Sequence, residues 1–266
     1  MSSPACEMAA AAVGVCLPIH NEEDTLPRAL EALEEATRRA EGRAIGCRVA
    51  AVLDDCSDRS EGLVRQWALT AKVPTLVIVC SARNVGLARQ AGFLALIEAW
   101  AEVDPSRLWL ATTDADSEVP AHWLTHQIDC KNRNIEFWAG RVEVSDWADR
   151  PTSTPRLWNE AYRSEWAPIH GANLGITAEL FLRVGGFLPL ICGEDDALRS
   201  AVIKSGSTIY HDWRAPVKTS ARRRARAPLG FAHYLNGMED EFLDDKGQSH
   251  LQDESGTERR ISSNLH

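Results

Sequence analysis

Short apolar runs that break into polar clusters recur along this chain. Val13–Leu17 gives way to Pro18-Ile-His20-Asn21-Glu22-Glu23, and Val49–Leu53 to Asp54-Asp55-Cys56-Ser57-Asp58. Thr75–Cys80 gives way to Ser81-Ala-Arg83-Asn84-Val-Gly86, and Leu108–Ala111 to a segment ending in Asp114-Ala-Asp116. Each run has the length and composition of a buried strand. Between the runs, apolar residues fall at helical spacing: Leu26, Leu30, Leu33 and Ala36, then Leu63, Val64, Trp67 and Ala68, then the strongly apolar Leu87–Trp100. Four strand-helix alternations predict an α/β fold with a mostly parallel central sheet flanked by helices, and they bring all four polar loops to one edge of it.

The second half reads differently. Ile135–Val144 alternates as a strand, Ser145–Pro155 is turn-rich, and Arg156–Trp166 suits a helix. His170 to Thr177 predicts a short strand. Ala178–Val184 predicts a helix stopped by Gly185-Gly186, and Gly193-Glu194-Asp195-Asp196 heads another that runs to about Lys204. Thr208–His211 predicts a further strand, and Gly230 to about Phe242 a closing helix. Residues 1–12 read as a flexible N-terminus, 13–243 as one domain, and the polar 244–266 as a disordered tail.

Composition narrows the setting. With 266 residues the chain can bury a full core. A net charge of -9 argues against broad binding to nucleic acid or to anionic membranes. The seven cysteines are scattered and form no C-x-x-C pair, which suits a reducing cytoplasm better than a disulfide or zinc framework. No run approaches the length of an integral membrane segment, and the Ala-rich start lacks the charged and apolar regions of a signal peptide.

A strand that stops in Asp114-Ala-Asp116 delivers two carboxylates to the sheet edge where open α/β folds bind ligands. Hard divalent cations take such oxygens; a helix cap uses the same residues, and both readings stand for the tripeptide alone. His211 is a candidate third metal ligand. Arg222 and Arg223 belong to a basic cluster, Arg222 to Arg226, that suits either a loop over a diphosphate or a solvated face. His170 and Asn173 have donors and acceptors for an acceptor sugar, or for a turn. Trp138 is expected in the core.

The ordered set Pro18-Ile-His-Asn-Glu-Glu, Asp54-Asp-Cys-Ser-Asp, Asp114-Ala-Asp and Gly193-Glu-Asp-Asp resembles the family 2 glycosyltransferases of GT-A fold, a Rossmann-like architecture, over roughly residues 13–211. The resemblance implies a nucleotide-binding half at 13–126 and an acceptor-binding half at 127–243. It places Pro18, Asn21, Glu22 and Glu23 against the nucleoside, Asp55 on the base, Arg89 near the nucleotide and Asp114 on the ribose or the metal. It makes Asp116 a ligand of Mn²⁺ or Mg²⁺, and Asp195, beside Glu194, the general base. The implied partners are a UDP- or GDP-linked sugar donor and a hydroxyl acceptor. The implied reaction is metal-dependent transfer with inversion. Cys56 stands where the family usually has glycine. Two rival readings use the same edge: a nucleotidyltransferase, which needs a Gly-rich phosphate loop where His20-Asn21-Glu22-Glu23 stands, and a non-catalytic nucleotide-sugar-binding protein.

Overall fold

The computed structural model describes residues 12–144, 146–161, 169–223 and 231–240. Its centre is a seven-stranded sheet formed by β1 (Ala12–Ile19), β2 (Gly46–Asp54), β3 (Thr75–Cys80), β4 (Leu108–Thr112), β5 (Phe137–Val144), β6 (Leu174–Thr177) and β7 (Tyr210–Thr219), in spatial order β3-β2-β1-β4-β6-β5-β7. β1 pairs in parallel with β2 and β4, β2 with β3, and β5 with β7; only β6 runs against its neighbours. The strand order reverses beside β1, between β2 and β4, which creates the crevice where open sheets receive ligands. β6 starts at this same edge, because Leu174 pairs with Thr112 at the end of β4.

β1 and β4 are buried throughout, as continuous apolar runs covered on both faces must be. On one face lie α1 (Leu26–Glu41), α2 (Ser60–Thr70) and α4 (Trp123–Lys131); on the other lie α3 (Val85–Ala99), α6 (Ala178–Val184) and α7 (Glu194–Lys204). α1 follows the apolar spacing closely, with Leu26, Leu30, Leu33 and Ala36 all buried. α3 sits so close to β1 that a Cβ on Gly92 would overlap the Cys16 sulfur. α6 ends at Gly185 in the left-handed conformation (φ 89°), the stop expected of a glycine at that position.

β7 departs from expectation by continuing eight residues past His211, to Thr219. Arg214 and Pro216 interrupt its apolar pattern, yet it lies at the sheet edge, where a proline removes no shared ladder bond. Its register against β5 shifts between Gly140 and Val142, the mark of a bulge.

Compactness divides the chain into two units: residues 1–145 with 167–220, which hold the sheet, and residues 146–166 with 221–266. In the smaller unit, α5 (Thr154–Ala161) and a helix over 231–240 surround the buried Arg150. Its guanidinium donates to the carbonyls of Ala221 (2.7 Å) and Arg222 (2.8 Å), to Asn236 Oδ1 (2.7 Å) and to Glu239 Oε1 (3.1 Å). Trp158 packs edge-on to Phe231. Arg222 and Arg223 belong to this unit, and Arg223 pairs with Glu239 at 3.4 Å. Arg224, Arg226, Trp166, the expected flexible start and the expected disordered tail lie outside the described residues.

The helix-sheet core on the α3 face is cemented by Phe93, fully buried, with ring centroids 5.0 Å from Phe181 and 5.6 Å from Phe187. Phe93→Ala is expected to lower the unfolding free energy by about 3–5 kcal/mol, read from the shift of the urea midpoint. A loss below about 1 kcal/mol would contradict this packing.

Candidate active site

The loops at the ligand-side edge begin in strained backbone. Asn21 (φ 54°), Asp55 (φ 51°) and Arg83 (φ 46°) follow β1, β2 and β3, and all three occupy the left-handed region. Asn and Asp enter it readily; an arginine held there has to be held by its surroundings. Asp54 does the holding. Its buried carboxylate accepts from the backbone N–H groups of Ala82 (2.7 Å), Arg83 (2.8 Å) and Asn84 (2.8 Å), which sets the β3–α3 loop. Asn84 then caps α3 by accepting from Leu87 N–H at 2.9 Å.

The β1–α1 and β2–α2 loops are locked together. Asn21 Oδ1 accepts from the N–H groups of Ser57 (2.7 Å) and Asp58 (3.2 Å), and Glu22 N–H donates to Ser60 Oγ (2.8 Å). Asp58 accepts from Glu23 N–H at 2.9 Å, and His20 Nδ1 donates to the Asp54 carbonyl at 2.6 Å. Cys56 Sγ donates to the Ile19 carbonyl at 3.3 Å, so the residue standing in for glycine also serves the loop contact. Asn21 and Glu22 therefore act on the shape of the loops. Pro18 is buried inside β1, while the more exposed Asp55 pairs with Arg83 at the loop surface.

The acids after β4 meet α3 and α7 through Arg89. Only 3% of its side chain is exposed; one guanidinium nitrogen lies 2.5 Å from Asp114 Oδ1 and another bonds Glu194 Oε1. A Cβ on Gly171 would overlap the guanidinium, so the segment before β6 needs glycine there to close over it. Burial opposes the charge of Arg89, but Asp114, Glu194 and Asp195 more than offset this and hold it protonated. Arg89 was expected to approach a nucleotide; the structure instead commits it to two carboxylates beneath the loops, out of reach of solvent.

Each of the three acids of Gly193-Glu-Asp-Asp has its own setting. Glu194 is buried against Arg89, Asp196 is exposed, and Asp195 lies between them. Asp195 Oδ2 accepts from Gly171 N–H at 3.0 Å. Burial and the neighbouring Glu194 push its carboxyl up to about 6, against the pull of Arg89 and of two backbone N–H groups. Glu194 is thus tied to Arg89, while the Asp195 carboxyl titrates closer to neutral pH than an ordinary aspartate. Next to Gly171, burial pushes the His170 imidazole down to about 4, so it is neutral at physiological pH despite Asp114 nearby.

Asp116 is half-buried and accepts from Ser117 Oγ at 3.3 Å. With Asp114, it presents carboxylate oxygens at the crevice, which fits a hard divalent cation that keeps water and phosphate oxygens as its other ligands. Among the described residues no third His, Cys or acid converges with this pair. His211 cannot: it pairs with Ala139, whereas Thr219, whose hydroxyl meets Ser117 Oγ at 3.0 Å, pairs with Val144. Five residues of β5, roughly 17 Å, separate the two positions.

Asn173 is also corrected. It is fully buried, its Oδ1 accepts from Trp123 Nε1 (2.7 Å), and its Nδ2 donates to the carbonyls of Arg141 (2.7 Å) and Ala215 (3.0 Å). Its amide braces the bulge between β5 and β7 and has no donor left for an acceptor sugar. The most consequential residue missed from sequence is Asp54; as the last residue of β2 it shares the parity of Ala50 and Val52 on the α3 side of the sheet, the one signal that set it apart from Asp55.

The family profile described as Glycosyl transferase family 2 matches residues 14–170, more than half of the chain. The chain belongs to the family 2 glycosyltransferases. The matched segment carries the first three acidic loops and ends before Glu194 and Asp195. Solved structures with the same GT-A fold include TarS of S. aureus (residues 1–349; 12% identity, TM-score 0.57), of which the chain covers 60% while 79% of the chain is aligned. A Pyrobaculum calidifontis mannosyltransferase in complex with GDP-Man and Mn²⁺ aligns at 18% identity and TM-score 0.59 over 80% of this chain and 58% of its own. Glucosyl-3-phosphoglycerate synthase of M. tuberculosis, in complex with Mn²⁺, UDP and glucosyl-3-phosphoglycerate, aligns at 15% identity and TM-score 0.51 over 90% and 79%. The chain thus spans about 60% of the length of the first two relatives. No curated protein sequence matches.

Arg89→Met leaves Glu194 and Asp114 facing each other without their cation. The expected loss of stability is about 3–5 kcal/mol, toward the lower figure because the Asp114 side chain is 35% exposed. Denaturant unfolding of the variant checks this, and an unchanged midpoint would show that the triplet is not a structural joint.

Proposed function

We propose that this chain transfers a sugar from a UDP- or GDP-linked donor to a hydroxyl acceptor, with inversion at the anomeric carbon. The observation that carries this reading is the Asp195 carboxyl, fixed by Gly171 N–H at the head of α7 and raised to about 6, joined through Arg89 to the strand end that bears Asp114 and Asp116. Asp116, with Asp114, would hold the Mn²⁺ or Mg²⁺ on the donor diphosphate. When bound, that ion supplies Lewis-acid stabilisation of the charge on the leaving group.

The protein's own groups do the rest. The locked loops after β1 and β2 shape the nucleoside pocket, and Asp55 at their surface accepts a base N–H once Arg83 yields. Asp195 takes the proton of the acceptor hydroxyl as the new carbon–oxygen bond forms and the bond to the diphosphate breaks on the opposite face. The neutral His170 imidazole, next to the base, can donate to or accept from a sugar hydroxyl. Cytoplasmic action belongs to this reading and is supported by the scattered cysteines. Among the described residues no helix is long and apolar enough to cross a membrane.

The sign of the pH dependence follows from the base. Asp195 must be ionised to accept a proton, so kcat/KM is expected to fall as pH drops, along an acid limb with an apparent pKa of about 6. Asp195→Asn is expected to lower kcat by roughly 10²–10⁴ while leaving donor binding intact. Anomeric NMR of the product reports the stereochemistry: inversion is expected, and retention would remove Asp195 from the role of simple base.

A further inference from the structure

Away from the acidic loops, three side chains with ligating atoms converge where α4 meets β7. His126 and Cys130 are four residues apart on α4 and so share one face of the helix; Asp212 comes from β7. His126 Nε2 lies 2.7 Å from Asp212 Oδ2, and Cys130 Sγ lies 3.7 Å from that oxygen and 4.0 Å from that nitrogen. Around a tetrahedral zinc, with bonds of ~2.0–2.2 Å to N and O and ~2.3 Å to S, ligand atoms stand roughly 3.2–3.8 Å apart. Opening the His–Asp pair and closing the sulfur, each by roughly half an ångström, reaches that spacing.

We propose that His126, Cys130 and Asp212 form a binding site for a borderline-soft transition cation of the zinc type, with water in the fourth position. The side chains of Asp212 and Cys130 are buried, while that of His126 is 17% exposed and gives the ion a path to solvent. Binding moves the imidazole proton to Nδ1, freeing the Nε2 lone pair, and releases the Cys130 thiol proton to solvent. A dication then balances one thiolate and one carboxylate.

The surroundings aim these ligands. Arg214 donates from Nε to Asp212 Oδ1 (2.9 Å) and from Nη2 to Oδ2 (2.8 Å); burial pushes the Cys130 thiol up, and Arg133, which donates to its Sγ at 3.1 Å, offsets part of that rise. Such outer contacts orient ligands in metal sites. The same guanidinium charges oppose a cation held by charge alone, so selection rests on the sulfur and nitrogen donors and excludes Mg²⁺. Just before α4, His122 Nε2 pairs with the Arg214 carbonyl at 3.0 Å and adds no fourth ligand. Asp212 pairs with Gly140, four residues of β5 or roughly 13 Å from the Val144 end, so this site is independent of the donor acids.

Cobalt titration of the full chain tests the site. One equivalent of Co²⁺ is expected to produce a thiolate-to-cobalt charge-transfer band and the visible bands of a four- or five-coordinate ion. Equimolar Zn²⁺ bleaches them and Mg²⁺ does not; they persist in Asp116→Ala and vanish in Cys130→Ser. Absence of the charge-transfer band, or its survival in Cys130→Ser, overturns the proposal. X-ray absorption on the Zn²⁺-loaded wild type covers the case of a misfolded variant: one sulfur in the coordination shell supports the site, and a shell of N and O alone overturns it.

Discussion

The ion triplet of Asp114, Arg89 and Glu194 is the joint on which the ligand-side edge depends. Its members come from the loop after β4, from α3 and from the first turn of α7, positions 25 and 105 residues apart from Arg89. Burying a guanidinium is costly unless it is paired on more than one side, and here two carboxylates meet it while Gly171 closes over it. That arrangement fixes where Asp195 stands, because Asp195 follows Glu194 and binds the N–H of Gly171. Burial at this joint, together with the adjacent Glu194, raises the Asp195 carboxyl. One electrostatic constraint therefore sets both the geometry of the edge and the basicity of its proposed base.

Asp54 plays the corresponding part for the loop after β3. It converts three backbone N–H groups into a fixed loop, and Asn21 converts the next loop in the same way. The acids of the family motifs thus divide into those that build loops and those that face the crevice. Asp54 and Glu194 build; Asp55, Asp116 and Asp195 remain nearer the surface, where a ligand can reach them.

Local pattern carried most of the architecture. Four buried runs at strand length, with helical spacing between them, sufficed for the parallel half of the sheet, because burial on both faces is written in consecutive residues. β7 was legible only to His211, since Arg214 and Pro216 break the alternation on an edge strand that tolerates both. The roles of Arg89 and Asn173 were not legible at all. Their partners lie 25 to 105 residues away, or are backbone carbonyls, and no spacing rule reports a contact across that separation. His211 shows the complementary limit: its residue type suited a metal, but β-sheet register decides which edge of the sheet it occupies.

The central claim is a nucleotide-sugar site whose cation rests on the acids after β4, and calorimetric binding of UDP and GDP, with and without Mn²⁺, to the wild type and to Asp116→Ala tests it most directly. The account predicts that one of the two nucleotides binds, that binding strengthens with Mn²⁺, and that Asp116→Ala removes the metal-dependent part. Failure of both nucleotides to bind with any metal, or Mn²⁺-dependent binding undiminished in Asp116→Ala, would contradict it.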